Sequence, residues 1–100
     1  MEIIKTAIEG VFEIIPRKFE DDRGCFFETY HVDKFKDAGL DYHFVQDNQS
    51  ESNKGVLRGL HYQEGQYAQA KLVRAVKGRV YDVVADLRTE SSTFGKWYVS

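Results

Sequence analysis

A histidine close to an arginine is the first feature of this sequence that predicts chemistry, within Arg58-Gly59-Leu60-His61-Tyr62-Gln63. An imidazole exchanges a proton near neutral pH, and a nearby guanidinium can hold an anion. Strict alternation along a strand places His61 and Gln63 on one face and Arg58 on the other. A pocket shared by Arg58 and His61 therefore requires a bulge or twist, for which Gly59 is the natural place. The competing interpretation is a hydrogen-bonded histidine on a sheet surface.

A lysine on an apolar face is the second candidate for chemistry. Within Lys71-Leu72-Val73-Arg74-Ala75-Val76, alternation puts Lys71 on the same face as Val73 and Ala75. Burying an unpaired ammonium is costly, so a lysine on such a face needs a negatively charged partner. An enolate oxygen is a partner of this kind, and the ammonium would stabilise it. The simpler interpretation is a surface lysine at the end of a strand.

Two polar features can bind a ligand without reacting with it. The run Gln46-Asp47-Asn48-Gln49-Ser50 offers amide and hydroxyl groups that can recognise the edge of a base or a sugar. Arg23, beside Gly24, can hold a phosphate through its bidentate guanidinium. Both features are also typical of ordinary structure, namely a polar loop and a solvated turn arginine.

Two aspartates, Asp82 and Asp86, share a predicted strand face with apolar residues. A carboxylate on this face can orient a histidine on a neighbouring strand. It can equally pair with Arg79 or Arg88, and we favour that structural role.

Several classes of site are not indicated by the residues present. The three histidines form no His-x-His pair and there is one cysteine, whereas a transition-metal site in a β-barrel protein needs several histidines and a carboxylate. We therefore expect no metal. Neither a G-x-G-x-x-G motif nor a Walker-type loop is present, so dinucleotide and P-loop chemistry are not predicted.

Composition narrows the partners and the compartment. A net charge of −2 gives no reason to expect nucleic-acid binding. No apolar run approaches the roughly 18 residues of a membrane span, and the N-terminus does not read as a signal peptide. Cys25 cannot form an internal disulfide, and its apolar surroundings predict a buried thiol. These features fit a cytoplasmic protein without a membrane partner.

The elements that must position these residues follow a period of two, which is typical of strands. The strands are predicted at residues 11–15, 25–30, 44–46, 56–63, 71–76, 79–87 and 97–99. Turns are predicted at residues 20–24 and at Lys77-Gly78. One short helix is expected at residues 33–38, with Asp33 as its N-cap, Phe35 facing the core and Gly39 ending it.

Many short strands joined by turns predict an all-β fold, a sandwich or barrel with one short helix. The chain is long enough for one small domain, residues 1–100. A strand that stops at Ser100 leaves open sheet edges, which native proteins usually cover or pair. We therefore expect the fold to be incomplete at its C-terminus.

In combination and order, these motifs closely resemble the dTDP-4-dehydrorhamnose 3,5-epimerase family. The resemblance extends over essentially the whole chain, and residues 58–63 are its most specific part. The matching stretches are residues 19–28, 46–50, 55–63, 69–73, 86–88 and 94–97.

The resemblance implies a cupin-like jelly roll and a role for each candidate. His61 matches the general base that removes protons next to the C4 ketone of the sugar, and Lys71 matches the lysine that stabilises the enolate. Arg58 matches a substrate-binding arginine near the sugar. The positions that match nucleotide-binding residues are Arg23, Glu28, Gln46, Asp47 and Asn48. A base and a nearby cation suffice for proton abstraction, so no metal or organic cofactor is implied.

The family also implies a partner and a longer chain. Its enzymes act on a dTDP-sugar and are homodimers that exchange N-terminal strands. Family members are nearly twice as long, so residues 1–100 correspond to the N-terminal portion of one epimerase domain. The tyrosine that acts as general acid and the aspartate that pairs with the base belong to the other half.

Two other readings stay open. The chain can be a non-catalytic β fragment that binds a nucleotide sugar or exchanges strands with another chain. It can also belong to a related enzyme that epimerises a single carbon. A metal-dependent cupin is disfavoured by the small number of histidines.

Overall fold

The structure is a computed structural model and describes residues 1–100. Strands and one short helix account for its regular elements, together with a single 3₁₀ turn. In chain order they are β1 (Glu2–Lys5), β2 (Phe12–Ile15), β3 (Lys18–Asp21), β4 (Gly24–Phe27), α1 (Val32–Asp37), the 3₁₀ turn (Gly65–Tyr67), β5 (Val83–Ala85) and β6 (Trp97–Val99).

The strands form three separate antiparallel pairs. β1 pairs with β2, so that Ile3 lies opposite Ile14. β3 and β4 form a hairpin in which Phe19 lies opposite Phe26, and its turn is at the polar stretch that the sequence predicts. β5 pairs with β6, with Val84 opposite Tyr98. Predicted strands at β2, β4 and β6 are confirmed, whereas β1 and β3 were not predicted.

The helix is confirmed, but its N-cap differs from the prediction. α1 begins at Val32, and His31 is the cap: its Nδ1 accepts a hydrogen bond of 3.5 Å from the backbone N–H of Lys34. Asp33 lies instead in the first turn, where its negative charge complements the helix dipole. Gly39 has a φ of +85° and ends the helix as expected.

The buried core is small and consists of Ile8, Phe35 and Leu40, each no more than 4% exposed. Phe35 faces inward as predicted, and the ring of Tyr30 packs edge-on against it at a centroid distance of 4.9 Å. Edge-to-face packing of this kind is favourable for aromatic pairs. The buried apolar residues therefore lie in the β1–β2 loop, in α1 and just after α1.

Most apolar side chains remain exposed. The chain exposes 9437 Å², whereas a folded monomer of 11.6 kDa is expected to expose about 5,800 Å². Leu57 is 89% exposed and Phe26 is 71% exposed. Cys25 is exposed as well, so the prediction of a buried thiol is wrong. Its neighbours on β3 and β4 are all exposed, so the hairpin has no buried face on which a thiol could lie.

The strand predictions in the second half are only partly right. Residues 44–46, 56–63 and 71–76 form no strand, and of residues 79–87 only Val83–Ala85 does. β5 pairs with β6 and not with residues 71–76, so the hairpin predicted at Lys77-Gly78 is wrong. Alternation specifies which face a strand would bury, but a strand also needs a hydrogen-bonding neighbour. The residues described supply no such neighbour for these segments.

The predicted all-β class with one short helix is confirmed. The jelly-roll arrangement of the strands stays a prediction.

Candidate functional site

The turn between β3 and β4 holds Arg23 in a fixed orientation. Asp21 accepts hydrogen bonds from the Arg23 backbone N–H at 2.9 Å and from its Nη2 at 2.5 Å. This ion pair lowers the pKa of the Asp21 carboxyl below its usual value. The Arg23 side chain is 90% exposed, so its remaining N–H groups point into solvent. The hairpin thus presents a guanidinium that is anchored on one side and open on the other.

Glu28 lies on the wall of a cavity of about 310 Å³. Its Oε1 accepts a hydrogen bond of 2.8 Å from Nζ of Lys34. The hydrogen bond to Lys34 is the main reason that the pKa of Glu28 falls below its usual value. Across the cavity, the Arg17 guanidinium lies 4.8 Å from the centre of the Phe19 ring, a cation–π contact. The cavity therefore combines an aromatic wall, two cations and one carboxylate.

The polar run at Gln46, Asp47 and Asn48 is exposed and has no regular secondary structure. Arg58 is also exposed, but it is tied to the neighbouring segment. Its Nε donates to Oγ of Ser52 at 2.8 Å, and its Nη2 donates to the carbonyl of Glu51 at 3.0 Å. Arg58 is thus held against residues 51–52.

His61 and Lys71 are exposed, and neither forms a hydrogen bond or an ion pair. The structure also forms no such bond between Arg58 and His61. Gly59 has a φ of +111°, so the backbone turns at the residue where the sequence requires a break, although the strand around it does not form. A Cβ at Gly59 would lie 3.5 Å from Nδ1 of His61, so the imidazole packs over this glycine.

Asp86 has the structural role that we favour from the sequence. Its buried carboxylate accepts hydrogen bonds from Nε of Arg88 at 2.9 Å, from Oγ of Ser91 at 2.6 Å and from Oγ1 of Thr93 at 2.6 Å. These hydrogen bonds, led by the one from Arg88, hold the pKa of Asp86 far below its usual value. The network extends to the β1–β2 loop, where Nη2 of Arg88 donates to the carbonyl of Glu9.

Two polar contacts were not predicted from the sequence. The first is the ion pair between Lys34 and Glu28, which joins α1 to the cavity. The second is a hydrogen bond of 2.6 Å that the Tyr98 hydroxyl donates to Oε1 of Glu13. The nearby carboxylate raises the pKa of Tyr98. The Lys34 contact has a sequence signal, since Glu28 and Lys34 are oppositely charged and lie on either side of a predicted helix start. The Tyr98 contact joins residues at opposite ends of the chain and has none.

No three His, Cys, Asp or Glu side chains come close enough together to coordinate a metal ion. The structure also contains no helix with the length and apolar character required to span a membrane.

The decisive comparison is with protein families. The model of a family described as dTDP-4-dehydrorhamnose 3,5-epimerase matches residues 5–100. The chain belongs to the dTDP-4-dehydrorhamnose 3,5-epimerase family.

Individual members of the epimerase family are similar over nearly the whole chain. The dTDP-4-dehydrorhamnose 3,5-epimerase of Escherichia coli (strain K12) is 52% identical over 98 residues, which cover 97% of this chain and 53% of that protein. A dTDP-4-dehydrorhamnose 3-epimerase of Streptomyces niveus is 46% identical, over 97% of this chain and 47% of its own length. The chain spans about half the length of the curated relatives that it matches.

A solved structure of the family has the same fold. The crystal structure of dTDP-4-dehydrorhamnose 3,5-epimerase from Elizabethkingia anophelis NUHP1 matches with a TM-score of 0.93 and 53% sequence identity. The match covers 100% of this chain and 55% of that one. The three strand pairs and the helix thus have the arrangement found in an epimerase with a cupin-like fold.

Proposed function

We propose that this chain is the N-terminal portion of a single cupin-like epimerase domain that acts on dTDP-4-dehydro-6-deoxy-glucose. The reaction inverts C3 and C5 of the sugar by abstracting protons next to the C4 ketone, in dTDP-rhamnose biosynthesis. The observation that carries the proposal is the family match over residues 5–100, with motifs for both the base and the enolate cation inside it.

The proposed chemistry uses two side chains. His61 takes the proton as the C–H bond at C3 or C5 breaks, the electron pair forms a C=C bond, and the carbonyl pair moves to the C4 oxygen. The Lys71 ammonium stabilises that oxyanion, without which an α-proton is too weakly acidic to transfer. Arg58 binds the sugar. Reprotonation on the opposite face requires an acid, which the family resemblance assigns to residues beyond these 100. No metal or organic cofactor enters these steps.

The proposed nucleotide subsite uses charge and hydrogen bonding. Arg23 presents an exposed guanidinium, which matches phosphate oxygens in geometry and charge. Glu28 accepts a hydrogen bond from the nucleobase, beside the aromatic wall of its cavity. Gln46, Asp47 and Asn48 supply further polar groups from an exposed segment. Stacking on an aromatic ring and a hydrogen bond to a base edge are common means of binding a nucleotide.

The excess of exposed surface supports two proposals about assembly. The exposed surface of the chain is about 3,600 Å² larger than the surface expected for a folded monomer of this mass. Further chain of the same domain and a second copy that exchanges N-terminal strands would both cover such surface. A strand-exchanged homodimer is compatible with the β3–β4 hairpin, whose residues are all exposed. The proposed site residues lie within this exposed surface. We therefore expect the complete site to form only when further chain and a second copy cover it.

The proposed compartment is the cytoplasm, and neither a nucleic acid nor a membrane is a proposed partner. A net charge of −2 and a lone cysteine are compatible with this.

Solvent deuterium uptake by the substrate tests the function. The protein is incubated with dTDP-4-dehydro-6-deoxy-glucose in D₂O, and NMR follows label at C3 and C5. We expect label at both carbons, and a loss of about 10²-fold or more in its rate for His61→Ala. His43→Ala is the matched control, because His43 is exposed and has no proposed role. No uptake by the folded protein would favour the non-catalytic nucleotide-sugar-binding or strand-exchanging fragment.

The same experiment addresses a second candidate function. An enzyme that inverts a single carbon is the alternative, since a 3-epimerase of Streptomyces niveus is among the similar proteins. Label at C3 alone would identify this case, because each carbon is labelled only if its own proton is abstracted.

A further inference from the structure

Helix α1 brings a cation to the wall of the Glu28 cavity. Lys34 is the third residue of the six-residue helix, and its Nζ donates a hydrogen bond of 2.8 Å to Oε1 of Glu28. Phe35, the next residue of α1, is 2% exposed and lines the same cavity, so the helix cannot turn about its axis without moving that ring. The position of Lys34 relative to the cavity is therefore fixed by the core.

We propose that Lys34 is a positioning residue that fixes the Glu28 carboxylate, so that its second oxygen can accept an N–H of a nucleotide base. This inference rests on the proposed function, because it assigns the arrangement of that nucleotide subsite. It concerns a residue that neither the sequence motifs nor the family resemblance marks.

The ion pair leaves the carboxylate able to bind a ligand. Lys34 donates to Oε1, and the structure gives Oε2 of Glu28 no hydrogen-bond partner. An ionised carboxylate accepts on both oxygens, so one can be anchored while the other faces a ligand. Freezing a flexible glutamate before binding removes part of the entropy cost of ordering it in the complex.

The charges around Glu28 act in the same direction as the ion pair. The positive charge of Lys34, on α1, lowers the pKa of Glu28. The positive charge of His31, the residue that precedes α1, also lowers it when His31 is protonated. Arg17 and the N-terminal residue Met1 line the same cavity. The pKa of Glu28 lies below its usual value, with the hydrogen bond to Lys34 as the largest cause and the charges of Lys34 and His31 as further ones.

The sign of the pH dependence follows from this. Glu28 accepts a hydrogen bond on both oxygens only while it is ionised, that is, above its pKa. Removing the Lys34 charge raises that pKa, so the loss of binding on acidification should begin at a higher pH.

The pair should matter for binding more than for folding. The Lys34 side chain is 60% exposed and that of Glu28 is 44% exposed. Ion pairs as exposed as this contribute little to stability, since water and salt screen them. A variant that removes the Lys34 charge should therefore fold like the unaltered protein.

Three variants of the intact protein test the proposal with dTDP as the probe. Lys34→Met removes the charge, and Lys34→Arg keeps it. Lys36→Met is the matched control, because Lys36 is an exposed lysine on the same helix without a partner. Calorimetry measures the dTDP affinity across pH, and carbon-detected NMR of the Glu28 carboxyl follows its titration.

We expect Lys34→Met to weaken dTDP binding by about two- to fivefold near neutral pH. The acidic limb of its binding profile and the Glu28 titration should both move to higher pH. Lys34→Arg should restore both, and Lys36→Met should behave like the unaltered protein. A Lys34→Met variant that binds dTDP with an unchanged pH profile overturns the positioning role. Failure of the unaltered protein to bind dTDP would instead contradict the proposed function itself.

Discussion

The Arg88 guanidinium bridges the buried Asp86 carboxylate and the Glu9 backbone, two groups far apart in the sequence. Its Nε lies 2.9 Å from Oδ1 of Asp86, and its Nη2 donates to the carbonyl of Glu9, 79 residues away. Thr93 reinforces the link, since its Oγ1 accepts from the backbone N–H of Glu9 at 3.2 Å. The connection between β5 and β6 is thereby fastened to the loop between β1 and β2.

Replacing Asp86 should loosen this link. In Asp86→Asn, the hydrogen bonds from Arg88, Ser91 and Thr93 lose their charged acceptor, and the amide N–H₂ that replaces one oxygen is placed against hydrogen-bond donors. We expect the thermal unfolding midpoint to fall by several degrees, as measured by circular dichroism. Asp41→Asn, at an exposed position without a side-chain partner, should leave the midpoint unchanged. Equal midpoints for the two variants would contradict the structural role of Asp86.

The same carboxylate should make stability depend on acid. The folded-state pKa of Asp86 lies far below the ordinary value of 3.8, so its contribution is fully present above that value. As the pH falls below the ordinary value, Asp86 becomes protonated in the unfolded state but stays ionised in the folded state, so the stabilisation is progressively lost. Unfolding midpoints measured from about pH 5 to about pH 2 should therefore drop more steeply for the unaltered protein than for Asp86→Asn. Parallel curves would show that Asp86 has no depressed pKa.

The hydrogen bond between Tyr98 and Glu13 should be visible in alkaline titration. The Tyr98 hydroxyl lies 2.6 Å from Oε1 of Glu13, and the carboxylate raises the pKa of the phenol. The difference in tyrosinate absorbance between the unaltered protein and Tyr98→Phe isolates this residue among the tyrosines. We expect it to ionise above the usual value of 10.0 and to move back towards that value in Glu13→Gln.

The sign of the corresponding stability change is opposite to that of Asp86. Because the folded-state pKa of Tyr98 is raised, its contribution is fully present below the ordinary value and is lost as the pH rises through the folded value. A Tyr98 titration that Glu13→Gln leaves unmoved would count against this contact.

Substituting Gly59 should disturb the proposed base. Gly59 has a φ of +111°, which is unfavourable by about 1–3 kcal/mol for a residue with a Cβ. The added Cβ would be in ordinary van der Waals contact with the imidazole, 3.5 Å from Nδ1 of His61, so the strained backbone lies directly beside the proposed base. We expect Gly59→Ala to slow deuterium uptake by the substrate. Gly55→Ala is the control, because its φ of +86° is also positive but no atom lies within 4 Å of the added Cβ. An equal effect of both substitutions would indicate backbone strain alone.

Some local features of the first 40 residues could be predicted because they depend on neighbours in the sequence, whereas β1 and β3 were not predicted. The strands β2 and β4 follow from their β-branched and aromatic residues, and the inward position of Phe35 follows from its place in the predicted helix. The N-cap prediction was wrong, because Asp33 is a good cap by type, whereas His31 is the residue with extended geometry before the first turn. The strands predicted at residues 56–63 and 71–76 do not form, and only Val83–Ala85 of residues 79–87 does, because pairing depends on partners that alternation does not specify.

The sequence by itself determined the family and the nature of the candidate chemistry, because these depend on residue types in a fixed order. His61, Lys71, Arg58 and Arg23 are recognisable whatever surrounds them. Only the tertiary structure decided that Asp86 is a structural residue bound to Arg88, and that Lys34 reaches Glu28. The Lys34 contact depends on where α1 lies relative to the end of β4, and the link from Arg88 to Glu9 depends on where the β5–β6 connection lies relative to the β1–β2 loop. Residue types in a fixed order do not specify either placement.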